Sequence, residues 1–296
     1  MHMYGKTGVV TDDLEKVVDD IINYLDKEII FATSLGLGKS VLFINELYRR
    51  AKEDSSIKLK ILTALSLEIP SGKSPLEKRL VGPLTERIFG GCPELTYMKD
   101  IRSDSIPDNI ELWEFYSKAG SMMTLPVQQR HHLPSNYTHV SRDAYFIQGT
   151  NCFGQMMACR EINGQTMYSM GSNTDINVTA NLFLNQGKAE GKKRVLVGEV
   201  NENLPFMYGD AINTPDQWDV FLRGPKYNYR LFGPPKDAVT TKDHMIGLNI
   251  STLMKDGGTI QVGIGALGDA IVAGLDMRHS HNELYNEVIK EAGLID

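Results

Sequence analysis

The chain has 296 residues, 42% apolar and 23% charged, enough for one large or two ordinary domains and against disorder. Its net charge of −6 argues against broad binding to nucleic acid or an anionic membrane, and leaves room for a local basic pocket. No apolar run approaches the roughly 18 residues of a membrane span, and no apolar stretch of a signal peptide follows Met1.

Cys92, Cys152 and Cys159 are an odd number without a C-x-x-C pair. They read as reduced core thiols of a cytoplasmic protein. Met1-His2-Met3 reads as a cloning remnant.

Taken in order, Asp12 or Asp13 caps a first helix, where Leu14, Val17, Val18, Ile21, Ile22 and Leu25 form one apolar stripe. Glu28–Thr33 reads as a buried strand, Val41–Lys52 as a helix and Ile57–Leu67 as a second strand. This strand-loop-helix-strand run predicts a parallel sheet with a right-handed crossover. The loop between the first strand and the helix holds Gly38-Lys39-Ser40. A phosphate loop needs a glycine where Thr33 stands, so that match is incomplete.

Pro75–Phe89 reads as a helix stopped by Gly90-Gly91. Ile110–Tyr116 alternates as a half-buried strand. Gly120–Pro134 reads as a loop; its adjacent His131 and His132 would point apart on any regular element, which argues against a metal pair. Ser135–Asp143 opens a short helix, capped by Ser135 or Asn136. Asn151–Ile162 reads as a strand turned back by Asn163-Gly164, a type I′ hairpin signal. A helix begins near Ser172–Thr174 and a strand spans Lys193–Val200. Asn201–Gly209 is a candidate site loop, and Tyr227–Asp237, with Pro234-Pro235, is a surface connection. A helix over Thr241–Lys255 leads to a glycine-rich stretch.

In that stretch Thr259–Val262 reads as a strand, Gly263–Gly265 as a loop and Ala266–Leu275 as a helix. Such a turn admits a ligand close to the backbone and offers unpaired N–H groups to a phosphate or an oxyanion. It also reads as a plain strand-to-helix turn. The whole is an α/β chain with an open, mostly parallel sheet and flanking helices. Residues 1–276 form its main domain, with a sub-boundary at 185–192, and 277–296 form a polar helical segment.

Several stretches, taken together and in order, resemble the acetyl-CoA hydrolase/transferase family, a branch of the family I CoA-transferases. They are Leu35-Gly36-Leu37-Gly38-Lys39, Leu47–Asp54 into Leu59–Leu65, Ser135–Asp143, Gly198-Glu199-Val200-Asn201 with Leu204-Pro205 and Gly209, and Gly258–Ala270. The resemblance implies two related open α/β domains that bind CoA and acyl groups at their junction. It implies a glutamate that attacks an acyl-CoA thioester and passes through an anhydride to a glutamyl-CoA thioester. A carboxylic acid then resolves that intermediate in a transferase, or water in a hydrolase. Coenzyme A and acyl-CoA enter as substrates, with no covalently bound cofactor and no metal.

By the same resemblance Gly263, Ile264 and Gly265 are candidate oxyanion donors. Gly36, Gly38, Lys39, Asn136, His139 and Asn201 are candidates for contact with substrate or CoA. His139 reads equally as a backbone-bonded residue at a helix start, and Asn201 as the holder of its own loop through an Asx turn. The family's glutamate follows the glycine loop in a Ser-Glu-Met-like stretch, which is absent here. Glu283, Glu287 and Glu291 lie at about the right distance, Glu287 being the candidate nucleophile among them, within a segment that also reads as a solvated helix face. The expectation is therefore an N-terminal fragment whose nucleophile belongs to a missing C-terminal catalytic domain. Self-association into a homo-oligomer through the exposed junction stays open. Two other readings stand beside it: a non-catalytic acyl-CoA-binding module and a P-loop NTPase.

Overall fold

The computed structural model describes residues 3–233 and 236–294. The chain divides into two compact units, Met1–Phe232 and Gly233–Asp296. Residues 185–192 lie inside the first unit.

The first unit begins with strand β1 (Val9–Thr11) and helix α1 (Leu14–Tyr24). Asp13 caps α1 by accepting from the Lys16 N–H at 3.0 Å. The predicted stripe buries Val17, Val18, Ile21 and Ile22. Strand β2 (Glu28–Thr33) runs through a short 3-10 turn, Gly36–Gly38, into α2 (Val41–Glu53) and then β3 (Lys58–Thr63). Next come α3 (Pro75–Phe89), α4 (Tyr97–Arg102), β4 (Ile110–Glu114) and α5 (Pro126–Arg130). A π-helical turn, Arg142–Ile147, precedes β5 (Cys152–Ile162) and β6 (Gln165–Ser169). Helix α6 (Asn177–Ala189) and strands β7 (Val195–Val200), β8 (Ile212–Asn213) and β9 (Val220–Leu222) complete the unit.

The main path of the sheet is β1-β9-β7-β5-β2-β3-β4, and every neighbouring pair along it is parallel. Antiparallel β6 and β8 extend it beyond β5. Alternation sorts the side chains between two layers. Ile29, Phe31, Leu59, Ile61 and Val197 face α1, α2 and α4, where Ile21, Phe43, Leu47 and Tyr97 close the core. Ala32, Leu62, Phe153, Leu196 and Phe221 face the opposite layer, with Tyr145, Ala180 and Leu184. Each fully buried large side chain adds about 1.5–3 kcal/mol to folding. The buried Lys188–Asp219 pair, at 2.5 Å, ties α6 to the strands it covers, and Asp219 also accepts from the Leu196 N–H at 2.8 Å.

Hairpin chemistry holds where the sequence places it. Asn163 and Gly164 both adopt positive φ, 52° and 76°, as a type I′ turn requires. Pro75–Phe89 is helical over its whole predicted length, with a Ser74–Glu77 capping box.

Other elements differ from the sequence reading. The strand expected to Leu67 ends at Thr63, because Leu65 turns at φ 45°. The expected loop 120–134 contains α5, started by Pro126 at its first position. Ser135–Asp143, by contrast, does open a short helix as expected: the Asn136 side chain accepts from the His139 N–H as a cap does, and Val140 and Ser141 are already helical ahead of the π-helical turn. Helix α6 starts at Asn177, after the Ser172–Thr174 position expected. Strands β1, β8 and β9 carried no periodicity that their two or three residues could show.

The second unit holds α7 (Thr241–Leu253), α8 (Ala266–Ser280) and α9 (Asn282–Glu291). Helices α7 and α8 cross through Gly247 and Gly274; a Cβ on Gly247 would stand 2.4 Å from the Ala270 carbonyl oxygen. Thr259–Val262 form no strand, since no neighbouring strand pairs with them among the described residues. The single helical segment expected from Met277 is broken at His281, whose φ of −136° and ψ of 52° separate α8 from α9. The calls on Met1-His2, Pro234-Pro235 and Ile295-Asp296 fall outside the described residues. No helix is long and apolar enough to cross a membrane among those residues.

Candidate functional site

The order of the strands locates the crevice. From β2 the chain steps outward to β3 and β4, then returns to place β5 on the other flank of β2. Ligands of open α/β sheets bind outside the carboxyl ends of strands at such a reversal. The loop leaving β2 at this point is Ser34–Ser40, with the Gly36–Gly38 turn at its centre.

Gly36 and Gly38 serve different needs. Gly36 has φ 48° with open space where a Cβ would stand. Gly38 is buried, and a Cβ there would come within 2.6 Å of the Ser34 Cβ and 2.7 Å of the Asn173 side chain. Below the turn, Asn177 Nδ2 donates to Ser34 Oγ at 2.8 Å, and Gln155 Nε2 donates to the Asn173 carbonyl at 3.1 Å.

Lys39 is 3% exposed. Its ammonium donates to the Ala64 carbonyl at 2.8 Å, to the Ser34 carbonyl at 3.4 Å and to Thr63 Oγ1. Burial lowers its pKa to about 8, against the raising influence of Glu114. All three N–H donors are engaged by the protein, so the group clamps β2 to β3 and presents only its methylene stem to the crevice. A phosphate-binding lysine needs the opposite, a free ammonium at the loop mouth.

Glu199 is the group the sequence reading left unassigned. It is fully buried at the end of β7 and accepts from the Phe43 N–H at 3.0 Å, the Leu42 N–H at 3.4 Å and the Tyr229 hydroxyl at 2.9 Å. Burial pushes its pKa up to about 7, opposed by those three bonds. The carboxyl thus caps the start of α2, where unpaired N–H groups and the helix dipole favour it. The signal was a lone carboxylate inside the apolar run Val195–Val200. Tyr229 itself gave none. Burial, with Glu199 beside it, raises the Tyr229 pKa far above that of a free phenol.

Asn201 works on its own loop. Its Nδ2 donates to the Tyr229 carbonyl at 2.9 Å and its Oδ1 accepts from the Asn203 N–H at 2.9 Å. This is the Asx-turn geometry, and it fixes the backbone of Tyr229. A cleft of about 50 Å³ opens between the Gly36–Lys39 turn and Tyr229, with Leu67, Phe89 and Met156 in its wall.

Asn136 and His139 are exposed. Asn136 Oδ1 accepts from the His139 N–H at 3.1 Å and from Thr138 Oγ1 at 2.7 Å, so Asn136 organises its own turn. Val140, next to His139, lines a small cavity together with Thr33, Thr63 and Trp113 from the ends of β2, β3 and β4. Of the candidates in this unit, Gly36 and Lys39 share one cleft, Gly38 and Asn201 support its walls, and Asn136 and His139 do not line it.

In the second unit Gly263, Ile264 and Gly265 are exposed, Ile264 fully so. Gly265, at φ 139°, caps α8 without any side-chain hydrogen bond. The first N–H groups of α8 thus face an open turn. Asp269 in the first turn is paired with Lys236 at 2.9 Å. Glu287 is exposed on α9, whose buried face is Tyr285 and Ile289. No group of three or more His, Cys, Asp or Glu residues could hold a metal among the described residues. His131 instead stacks on Trp113 at 4.9 Å, and burial lowers its pKa. The three cysteines are free; Cys152 is buried, whereas Cys92 and Cys159 are only half-buried and so not the core thiols expected.

Comparison with known proteins gives a consistent fold. No protein-family model matches the chain. A 4-hydroxybutyrate coenzyme A transferase of Clostridium kluyveri is 31% identical over 109 residues, 35% of this chain and 25% of that protein. RipA of Yersinia pestis superposes with a TM-score of 0.54 at 17% identity, over 93% of this chain and 55% of the RipA chain. A point-substituted RipA superposes at 0.53 with 17% identity, covering 91% of this chain and 52% of that one. The chain therefore spans about half the length of these solved relatives. It carries, in part, the open α/β fold of the family I CoA-transferase and acetyl-CoA hydrolase kind.

Proposed function

We propose that the protein handles acyl-CoA and carboxylic acids in CoA-transferase chemistry. The observation that carries this reading is the 31% identity with a 4-hydroxybutyrate coenzyme A transferase. An opening of about 50 Å³ at the carboxyl edge of the sheet, where the strand order reverses, supports it. Acyl transfer from a thioester develops charge on the carbonyl oxygen, and fixed N–H donors stabilise it. The Gly263-Ile264-Gly265 turn at the start of α8 has the exposure and the free donors for that role.

The covalent step in this reading runs through a glutamyl-CoA thioester. A carboxylate becomes an effective nucleophile only when positioned and partly desolvated. Glu287 stands in solvent on α9, and Glu199 is sealed beneath the start of α2 with three donors on it. We assign neither as the attacking group, and place the nucleophile on a part of the enzyme outside these residues. Incubation with acetyl-CoA followed by borohydride and peptide mass spectrometry tests this. The expected result is no reduced adduct at Glu287 or Glu199; a stable adduct at either makes that residue the nucleophile.

The choice between a carboxylic acid and water as the resolving group belongs to the same step. So does the second reading, an acyl-CoA-binding module without catalysis. CoA binding without thioester exchange after a glutamate-bearing domain is added favours the module, and exchange favours the transferase.

A further inference from the structure

Helix α3 presents an apolar stripe to water. Leu76, Leu80 and Leu84 recur four residues apart and so stand on one side of the helix, 75%, 78% and 52% exposed. None of the 15 residues of α3 is fully buried. Val81, Thr85, Ile88 and Phe89, around the opposite side, are only half-buried. The interior holds Gly82 and Pro83, the two residue types least favourable to a helix. A helix of this length is marginal in water unless a packed apolar face supports it. Its C-terminal end is held, since Arg230 donates to the Arg87 carbonyl at 2.8 Å and Phe89 lies 5.7 Å from Phe232. The leucine stripe has no such support.

The charges beside the stripe narrow the choice of partner. Arg79 and Glu86 lie seven residues apart on one flank, and both are exposed. Proline, leucine, glycine or phenylalanine occupies every position three or four residues from either one, so neither has a charged neighbour on its own helix. Neither side chain makes a hydrogen bond or ion pair among the described residues. In an antiparallel pair of α3 helices centred between Gly82 and Pro83, Arg79 stands level with Glu86 of the second copy, and this happens twice. The same two-fold axis sets Leu80 beside Leu84 of the second copy. One symmetry operation thus pairs both charges and covers the leucines.

We propose that α3 is the contact of a reversible homodimer, two copies of this chain pairing antiparallel through Leu76, Leu80 and Leu84 with Arg79–Glu86 ion pairs along one flank. No residue of the stripe lines the cleft, so the inference goes beyond the acyl-CoA reading and stands apart from it. A helix about 22 Å long buries less than the roughly 1,200–2,000 Å² of a tight interface, and the expected dissociation constant is on the order of 10–100 µM.

Sedimentation equilibrium of the whole protein from about 1 to 300 µM tests it. The expected result is monomer at the low end and dimer at the high end. Leu80→Glu abolishes the dimer and keeps the far-ultraviolet circular dichroism of the monomer. Arg79→Glu or Glu86→Arg alone weakens it by about 5-fold or more, because each replaces two attractions by two repulsions. The double variant Arg79→Glu/Glu86→Arg returns to within about two-fold of the wild type, which a merely structural role for either residue does not produce. A monomer at every concentration overturns the pairing. So does a dimer that Leu80→Glu leaves intact, or a double variant no tighter than the single ones.

Discussion

The Tyr229 hydroxyl donates to the Glu199 carboxyl at 2.9 Å, across the joint between β7 and the start of α2. The carboxyl is fully buried and the phenol half-buried, and the acid is pushed from its ordinary 4.5 up to about 7. Between these values the folded protein holds a proton that the unfolded chain has released. Stability is therefore fully present below about pH 4.5 and falls as pH rises through about 7, by on the order of 3 kcal/mol from this group. Urea unfolding of the wild type and Glu199→Gln across pH 4–8 checks it. The variant loses the downward slope, and an unchanged slope places the titration elsewhere.

Lys39 gives the opposite sign in a separate window. Its pKa is lowered from 10.5 to about 8, so the unfolded chain holds the extra proton and stability rises between those values. Lys39→Met keeps the stem and strands Thr63 Oγ1 and the Ala64 carbonyl, with a cost of about 1–3 kcal/mol. Thermal unfolding at pH 7 and at pH 10 measures both effects, and the difference between the two pH values shrinks in the variant.

The two glycines of the turn respond differently to alanine. Gly38→Ala drives a Cβ into Ser34 and Asn173 and costs about 1–3 kcal/mol by overpacking. Gly36→Ala meets open space and costs about 1–2 kcal/mol for its left-handed backbone alone. Acetyl-CoA affinity falls further for Gly38→Ala, because the loop must shift to admit the new Cβ. Equal affinities for the two variants contradict this division of roles.

Gly247→Ala separates α7 from α8, since the new Cβ meets the Ala270 carbonyl oxygen at 2.4 Å and backbone cannot step aside. Hydrogen exchange over residues 241–280 accelerates while exchange in β2 and β7 stays at the wild-type rate. Unchanged exchange in α7 and α8 contradicts the close crossing.

Much of the fold was legible because its signals are local. The stripe of α1, the buried run Glu28–Thr33 and the Asn163-Gly164 turn each carry their reason within a few residues. Strand β9 has only three residues, and tertiary pairing with β1 and β7 makes it a strand. Thr259–Val262 shows the reverse case, a strand-like pattern that no neighbour pairs among the described residues. The site was legible as a turn, Gly36–Gly38, but not as a cleft. Phe89, Met156 and Tyr229 are far apart in sequence, and only the sheet order gathers them. Asn201 could be weighed as ligand contact or loop holder, and its two hydrogen bonds to the chain decide for the loop.

The central claim is that the crevice at the β2–β5 reversal serves an acyl-CoA and not a nucleoside triphosphate. Calorimetric titration of the protein with acetyl-CoA, in parallel with magnesium ATP, tests it most directly. The account predicts saturable binding of acetyl-CoA, weakened by Leu67→Trp, which fills the cleft from its wall, and no heat from magnesium ATP. Saturable magnesium ATP binding that Lys39→Ala abolishes, with no response to acetyl-CoA, would contradict it.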